Sequence, residues 1–159
     1  RKMPLLKLQH LCKKNNFPIV LVGGKEDAKE GDAVAAIDSI KIYNACGKFS
    51  LNESASIVQK SRLVISHDTG LQYIACAFNK PVLAIWGATS PMLQVAPYYG
   101  EASLQALGLS KPPYQNFIVP HLSCQPCSNY GTKKCPKGHF NCMMLQDTTA
   151  IAAAVEKYL

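Results

Sequence analysis

The sequence contains no apolar run long enough to span a bilayer, which excludes a membrane-spanning helix among these 159 residues. It also lacks a lysine-containing Walker loop and a GxGxxG loop, so the two best-known glycine-rich phosphate loops are absent. Charged residues make up only 17% of the chain and apolar residues 48%, a balance that excludes intrinsic disorder. No signal-peptide pattern is present, and the chain starts at Arg1, so we expect it to be a piece of a longer protein.

Acidic residues are the scarcer charged type. The chain has ten Asp and Glu and seventeen Lys and Arg, which gives a net charge of +7. Such a surface can attract nucleic acid, anionic membrane or phosphorylated small molecules. The basic residues are scattered along the chain, and no basic helix or aromatic-interleaved patch occurs. We therefore expect a soluble surface with some preference for anions, and no nucleic-acid partner.

Short apolar runs alternate with helical patterns through the first ninety residues or so. Four runs predict strands, namely "PIVLVGG", "KIYNACG", "RLVIS" and "KPVLAIWG". Between them lie helix patterns, including one in which Ser50 and Glu53 form a capping box and one that Gly31 is expected to interrupt. Fully apolar strands joined by helices predict an α/β fold with a Rossmann-like parallel sheet covered by helices on both faces. We expect a single domain over residues 1–159.

Three turns are candidates for a ligand site, because open α/β sheets bind ligands outside the carboxyl ends of their strands. Each turn follows a predicted strand and combines glycine with polar side chains. The candidate binding residues in these turns are Gly24, Glu26, Asp68, Thr69, Gly70 and Thr89.

The turn Asp68-Thr69-Gly70 has two interpretations. Free amides at the start of the following helix can hold a phosphate, with Thr69 adding a hydroxyl donor and Gly70 allowing close approach. Asp68 would then accept hydrogen bonds from sugar hydroxyls, and Glu26 could do the same for a ribose. Alternatively, Asp68 and Thr69 only cap the helix, and the turn that contains Thr89 is an ordinary strand exit.

Seven cysteines divide into two groups. Cys12, Cys46 and Cys76 lie alone in apolar surroundings and are expected to be buried. The other four, Cys124, Cys127, Cys135 and Cys142, define a Cys-rich loop over residues 124–142. Four thiolates can form a structural zinc site, but the second pair lacks CxxC spacing. Reduced or partly disulfide-linked thiols are the alternative.

The stretch "SLNESASIVQKSRLVISHDTGLQYIACAFNKPVLAIWGATSP" resembles glycosyltransferase family nine, the ADP-heptose:lipopolysaccharide heptosyltransferases and their relatives. The family is similar in its helix start, its Asp-Ser/Thr-Gly-x-x-His turn and its Gly-x-Thr-x-Pro turn. "RKMPLLKL", "VLVGGKED" and "CQPCSNYGTKKCPKGHFNCMMLQD" resemble further family segments, so nearly the whole chain is covered. Tyr73 departs from the family pattern, because it stands where the family has histidine.

The resemblance implies the C-terminal, donor-binding half of a two-domain GT-B glycosyltransferase. It implies that Thr69 and Gly70 contact the donor diphosphate, Asp68 the donor sugar and Glu26 the nucleoside side. It places Arg1 at a position where a basic residue balances phosphate charge. Tyr73 could donate one hydrogen bond to phosphate but would add no positive charge. His67 either compensates for that loss or is an ordinary polar loop residue.

The resemblance also implies how the whole enzyme works. It would invert configuration by single displacement, without a metal, moving a sugar, expected to be heptose, from an ADP-heptose-like donor to a lipid-linked saccharide of the lipopolysaccharide core. No catalytic residue lies in this chain, because the base is an Asp of the N-terminal half, so the fragment alone should be inactive. We expect a cytoplasmic bacterial protein that could sit on the inner face of the inner membrane.

Two other functions remain open at this point. One is a non-catalytic, basic binding module that carries a zinc ribbon. The other is a different sugar-nucleotide enzyme of GT-B architecture, such as an epimerase.

Overall fold

A computed structural model describes residues 2–159 and shows helices and short strands in alternation. In chain order they are α1 (Leu5–Lys14), β1 (Ile19–Leu21), α2 (Ala28–Ala35), β2 (Ile42–Asn44), α3 (Leu51–Lys60), β3 (Val64–His67), α4 (Gly70–Ala77), β4 (Val82–Ile85), α5 (Glu101–Ala106), β5 (Tyr114–Phe117), α6 (Asn141–Met144) and α7 (Thr148–Val155). No helix in this range is long and apolar enough to cross a membrane.

The strands form two parallel sheets. β1 pairs with β2, with Val20 opposite Tyr43. The second sheet has the order β3-β4-β5, with Ile65 opposite Leu83 and Leu83 opposite Gln115. Since every strand is parallel to its neighbour, each connection must cross over through a helix or a long loop. The predicted parallel α/β architecture is therefore confirmed, in two separate sheets rather than one.

Local sequence signals set the ends of two helices. At α3, Glu53 N donates to Ser50 Oγ at 3.4 Å and Ser50 N donates to the Glu53 carboxylate at 2.8 Å, as the capping box predicts. At α7, the Asp147 carboxylate accepts hydrogen bonds from the amides of Thr149 and Ala150 at 2.9 and 3.0 Å. These bonds satisfy helix-start amides that would otherwise lack partners.

β4 is the centre of the core. All four of its residues are buried, because α7 covers one face of the sheet and α4 covers the other. Leu83 and Ile85 pack with Met143 and Ile151, and Val82 and Ala84 pack on the α4 side. Burying apolar strand residues on both faces is what stabilises a parallel sheet.

The sequence predictions fail at two places in the fold. Gly31 does not interrupt α2, which runs through it. Glycine is needed there for packing, because the Asn44 side chain occupies the place where a Cβ on residue 31 would lie. Asn44 Nδ2 donates to Ala28 O at 2.9 Å and to Asp32 Oδ1 at 2.8 Å, which fixes the amide against the helix. The weakly patterned region after Thr89 also contains α5 and β5, which the sequence did not indicate.

Candidate functional site

The three turns predicted to bind a ligand follow β1, β3 and β4. His67 ends β3 opposite Ile85 at the end of β4, so the turns after these strands start side by side. The first described residues link the turn after β1 to the same place. Lys2 Nζ lies 2.8 Å from Asp27 Oδ1, and the Met3 amide donates to His67 Nε2 at 3.0 Å. The fold therefore brings all three turns to one edge.

The turn Asp68-Thr69 does not cap α4. Thr69 occupies the N-cap position with extended backbone (φ −145°, ψ 164°), yet no side chain among residues 2–159 caps this helix. The Thr69 hydroxyl lies instead 3.3 Å from Ser66 Oγ, which belongs to β3 and not to the helix. The capping interpretation of this turn is therefore wrong. The exposed Thr69 hydroxyl and the half-buried Asp68 carboxylate are left beside uncapped helix amides.

Gly70 leaves the start of α4 open. A Cβ built on Gly70 would meet no heavy atom within 4 Å, so protein packing does not require glycine at this position. The first turn of α4 contains no acidic residue, and the positive end of the helix dipole favours an anion there. An anionic group can thus approach the α4 amides without displacing a protein side chain.

Tyr73 lies one turn further along α4. Its hydroxyl donates to the Val95 carbonyl at 2.8 Å, so its single proton already has an acceptor. Burial and the nearby Asp68 charge raise the pKa of Tyr73, which keeps the phenol neutral. The predicted hydrogen bond from Tyr73 to a phosphate would require this bond to Val95 to break.

The turn after β1 carries Gly24 and Glu26. Glu26 is exposed, and its carboxylate folds back over Gly24 so that a Cβ on residue 24 would overlap it. The Gly24 amide donates to Asp27 Oδ2 at 3.1 Å. Because the Glu26 carboxylate is the far end of a flexible, exposed side chain, it can move away, so packing does not require glycine at position 24 and the carboxylate stays available to a ligand.

Lys2 forms ion pairs with Asp27 and Glu30 beside this turn. The hydrogen bond to Asp27 is the main reason that the pKa of Lys2 is raised, and the same contact lowers the pKa of Asp27. The Lys2 charge is thereby balanced within the protein. Arg1, the basic residue predicted to balance the phosphate charge of the sugar donor, lies outside the described residues.

His67 does not supply the positive charge that Tyr73 lacks. Burial lowers the pKa of His67 to about 4, with the Lys2 charge acting in the same direction. Its Nε2 accepts the hydrogen bond from the Met3 amide, which a protonated ring nitrogen could not do. The proposed compensation by His67 is therefore wrong, and this histidine instead holds the chain start against β3.

Thr89 is buried, with 2% of its surface exposed. The reason is Gln125, whose Nε2 donates to the carbonyls of Gly87 and Thr89 at 2.7 and 3.1 Å. The Ala88 carbonyl also accepts the Cys127 amide at 2.9 Å. The Cys-rich loop thus covers this turn, and Thr89 can shape the site but does not present its side chain at the surface.

Sequence reasoning missed Gln125 and a second glutamine, Gln146. Gln146 is buried and donates through Nε2 to the carbonyls of Trp86 and Cys142 at 3.0 Å each. Both glutamines use one amide group to satisfy carbonyls at the end of β4. The only sequence signal was glutamine in otherwise apolar or cysteine-rich segments, which does not reveal a partner about 40 or more residues away.

The cysteine thiols of the Cys-rich loop lie in different environments, which shift their pKa values in opposite directions. The Phe140 amide donates to Cys135 Sγ at 3.4 Å, which lowers the pKa of Cys135, whereas burial raises the pKa of Cys142. Cys124 Sγ lies 3.9 Å from His139 Nε2. Across residues 2–159, however, no three His, Cys, Asp or Glu side chains gather closely enough to hold a metal ion. The structural zinc site therefore stays a prediction from spacing, and all four cysteines are free thiols here.

Comparisons with known proteins agree on one family. A family model described as glycosyltransferase family 9 (heptosyltransferase) matches residues 7–137. Lipooligosaccharide heptosyltransferase 2 of Haemophilus influenzae is 30% identical over 89 residues, which cover 54% of this chain and 26% of that protein. Lipopolysaccharide heptosyltransferase 2 of Escherichia coli is 27% identical over 79 residues, 47% of this chain and 23% of that protein.

Two solved structures share the fold. The E. coli ADP-heptose lipopolysaccharide heptosyltransferase II aligns with 99% of this chain and 41% of its own, with a TM-score of 0.72 and 15% identity. A family 9 glycosyl transferase from Veillonella parvula aligns with 99% and 42%, with a TM-score of 0.70 and 17% identity. These alignments confirm the predicted fold class. The chain spans about a quarter of the length of the curated relatives it matches.

The neutral state of His67 makes stability depend on pH. The pKa of about 4 in the folded protein lies below the ordinary value of 6.5, so the unfolded chain takes up a proton first as the pH falls. The stabilisation is complete above pH 6.5 and is lost as the pH falls towards 4. Urea unfolding between pH 4 and 8 should show this slope, and His67→Gln should flatten it. Equal slopes in both proteins would contradict the assignment.

The thiol environments predict an order of alkylation. With iodoacetamide near neutral pH, Cys135 should react before Cys142, because its thiolate is stabilised by amides and the other thiol is buried. Mass spectrometry of peptides at successive times measures the order. The alternative is a zinc ion held by the four cysteines of the loop. Elemental emission on the same protein, purified without added zinc, measures the zinc content and tests it. Stoichiometric zinc, with all four cysteines protected until a chelator is added, would contradict the free-thiol state.

Proposed function

The chain belongs to glycosyltransferase family 9, and we propose that it forms the donor-binding half of an enzyme that transfers heptose from a nucleotide-diphosphate donor to a lipopolysaccharide-core-type acceptor. The observation that carries the proposal is the uncapped, open start of α4. A helix start that no side chain caps is suited to a diphosphate. The curated relatives, named as heptosyltransferases, support heptose as the sugar.

Each end of the donor has a candidate partner. The diphosphate would lie on the α4 amides, with the Thr69 hydroxyl as an additional donor. The half-buried Asp68 carboxylate would accept hydrogen bonds from sugar hydroxyls, since a carboxylate next to phosphate itself would be repelled. The exposed Glu26 carboxylate, across the same edge, would accept from the ribose.

The reaction is a single displacement with inversion. An acceptor hydroxyl oxygen forms a bond to the anomeric carbon, and the bond from that carbon to the diphosphate oxygen breaks. The acceptor proton passes to a carboxylate base in the other half of the enzyme. Negative charge grows on the departing diphosphate, and the α4 amides stabilise it where it develops. No metal takes part in this scheme, so a chelator should leave transfer unaffected.

Acceptor binding belongs to the part of the protein outside this chain. The acceptor is a lipid-linked saccharide, and the net charge of +7 would favour contact with the anionic inner face of the cytoplasmic membrane. The enzyme would therefore act in the cytoplasm at that surface. This chain alone should bind the donor without transferring its sugar.

Asp68→Ala and Thr69→Ala should separate the two ends of the donor. Asp68→Ala should weaken the binding of ADP-heptose about tenfold and leave the binding of ADP unchanged, whereas Thr69→Ala should weaken the binding of both. Each variant loses about one charge-assisted hydrogen bond to the ligand. Isothermal titration calorimetry with the intact protein measures these affinities, and UDP and GDP test the base. Both variants should keep the unfolding temperature of the parent.

Thr149→Ala is the matched control for the hydroxyl deletion. Thr149 is also exposed and also lies at the start of a helix, but Asp147 caps that helix. Its removal should not change nucleotide affinity. If Asp68→Ala and Thr69→Ala behave like this control, the α4 site is wrong. If no nucleotide binds at millimolar concentration, the donor-binding function and the epimerase alternative both fail, which leaves the binding module.

Tyr73→His should restore a cation near the diphosphate. Affinity for ADP should rise, and more so at pH 6 than at pH 8, because the imidazole gains its proton in this range. Tyr73→Phe is the control, and it should leave ADP affinity unchanged since the hydroxyl donates to Val95 rather than to a ligand. An affinity gain in Tyr73→His that does not depend on pH would contradict the electrostatic explanation.

A further inference from the structure

The loops that lead into the strands meet at the ends of the sheets opposite the ligand turns. In the first sheet, the Ile19 amide donates to Lys41 O at 2.9 Å, which joins the loops before β1 and β2. In the second, the Val64 amide donates to Pro81 O at 3.0 Å, and the loop before β5 joins β4 in the same way. Because the strands of each sheet are parallel, all their amino ends lie at one side of that sheet.

The amino ends of both sheets lie on the same side of the molecule. α1 starts where the Met3 amide meets His67 at the carboxyl end of β3, and it leads into the amino end of β1. Phe17 and Leu63, which come just before β1 and β3, pack against the same core cluster. We call this shared side the amino edge, and the side that carries the three ligand turns the ligand edge.

Helix ends bring basic residues to the amino edge. α1 and α3 lead from the ligand edge down into β1 and β3. α7 ends there too, because the Arg62 guanidinium, just before β3, donates to Leu159 O at 2.9 Å. Four exposed lysines lie at these helix ends, namely Lys13, Lys14, Lys60 and Lys157. Cations at helix C-termini are stabilised by the helix dipole, so this group has a structural reason of its own.

A second group of cations at the amino edge lies outside the helices. Lys41, Arg62, Lys80 and Lys111 belong to the loops that lead into β2, β3, β4 and β5. In the part of the chain that the structure describes, Lys41 alone of these four forms an ion pair, with Asp38 at 3.5 Å. Positive charge therefore collects at this edge beyond what the helix ends require.

Acidic residues are few at the amino edge. Asp38 and Glu156 lie there, and Glu101 lies near it, since the neighbouring Tyr99 hydroxyl donates to Lys80 O at 2.7 Å. The other seven Asp and Glu lie in the turns at the ligand edge or in the helices that start there. Eight cations against three acids leave an excess of five positive charges at the amino edge, out of +7 for the chain.

Two loops of the amino edge also expose an aliphatic side chain close to a lysine. Ile40 is fully exposed and directly precedes Lys41. Leu109 is 41% exposed and comes two residues before Lys111. Exposed aliphatic side chains among cations suit the headgroup region of an anionic bilayer, where the cations meet phosphate and the aliphatic groups leave water.

We propose that the amino edge, with its eight cations and with Ile40 and Leu109, docks on an anionic lipid surface. The cations follow the starts of five strands, a width on the order of 20 Å, so they suit many headgroups and not one bound anion. Like charge excludes a second copy of the same edge as the occupant. A lipid-linked acceptor makes this contact useful, and that use, unlike the charge pattern, rests on the proposed function.

Docking through the amino edge leaves the ligand turns uncovered, because they lie at the opposite ends of the strands. A nucleotide sugar can then reach the start of α4 from the water while the protein stays on the lipid. A strand of four residues spans only about 13 Å, so a saccharide that projects from the lipid has a short distance to cover. Vesicles should consequently leave the affinity for ADP unchanged.

Vesicle co-sedimentation with the intact protein tests the docking. Phosphatidylglycerol vesicles should bind the protein at least about tenfold more tightly than phosphatidylcholine vesicles, and about 0.5 M salt should abolish the difference. The triple variant Lys60→Glu, Lys111→Glu and Lys157→Glu should lower affinity for the phosphatidylglycerol vesicles about 100-fold. Equal binding to the two lipids would overturn the proposal.

A second triple variant separates the position of the charges from the net charge. Lys29→Glu, Lys133→Glu and Lys134→Glu change the net charge by the same amount, but these exposed lysines lie in α2 and in the Cys-rich loop, at the ligand edge. This variant should lose less than about fivefold in vesicle affinity. An equal loss in both triple variants would mean that no particular edge docks, and would overturn the proposal.

The aliphatic side chains are tested without a change of charge. Ile40→Ser combined with Leu109→Ser should weaken vesicle binding about tenfold. All variants should keep the unfolding temperature and the ADP affinity of the parent, measured by calorimetry. Vesicle binding and ADP binding are thus separate readouts, so the docking and the donor-binding function can fail independently. Retention on immobilised polyglutamate that depends on the same lysines, without vesicle binding, would assign the edge to an acidic protein and overturn the lipid proposal.

Discussion

The parallel pairing of β3 with β4 is the constraint on which the rest of the site depends. Because His67 lies opposite Ile85, both strands end at the same level and their exit turns must lie side by side. The chain then has to fill the space above β4, which the Cys-rich loop does through Gln125. The turn after β3 has no such cover. One exit turn is therefore buried structure and the other is the open start of a helix.

Local signals in the sequence predicted what local interactions determine. Ser50 caps the helix that follows it, as its spacing to Glu53 predicts, because a cap and its amides lie within a few residues of each other. The strand β5 escaped prediction because its centre is polar. The polar side chain of Asn116 is explained only by Trp86, which follows the neighbouring strand β4. The Trp86 indole N–H donates to Asn116 Oδ1 at 2.9 Å. The burial of Thr89 is equally non-local, since Gln125 covers it from 36 residues away.

The candidate site shows the same division between local and distant causes. Asp68, Thr69 and Gly70 could be singled out from the sequence, because a strand, a turn and a helix start follow one another directly. The state of His67 could not, since its low pKa depends on burial and on the charge of Lys2, far away in the chain. Tyr73 lies between these two cases, because its role could be predicted only in part. Its departure from the family histidine is visible in the sequence, but its bond to Val95 is not.

Trp86 is the one tryptophan of the chain, and it is fully buried at the end of β4. Its carbonyl accepts from both Gln125 and Gln146, and its indole is bound to Asn116. Fluorescence excited at the indole band therefore originates from a single, rigid position where the sheet meets the Cys-rich loop. The natural chain thus carries an optical reporter of that junction, which needs no added label.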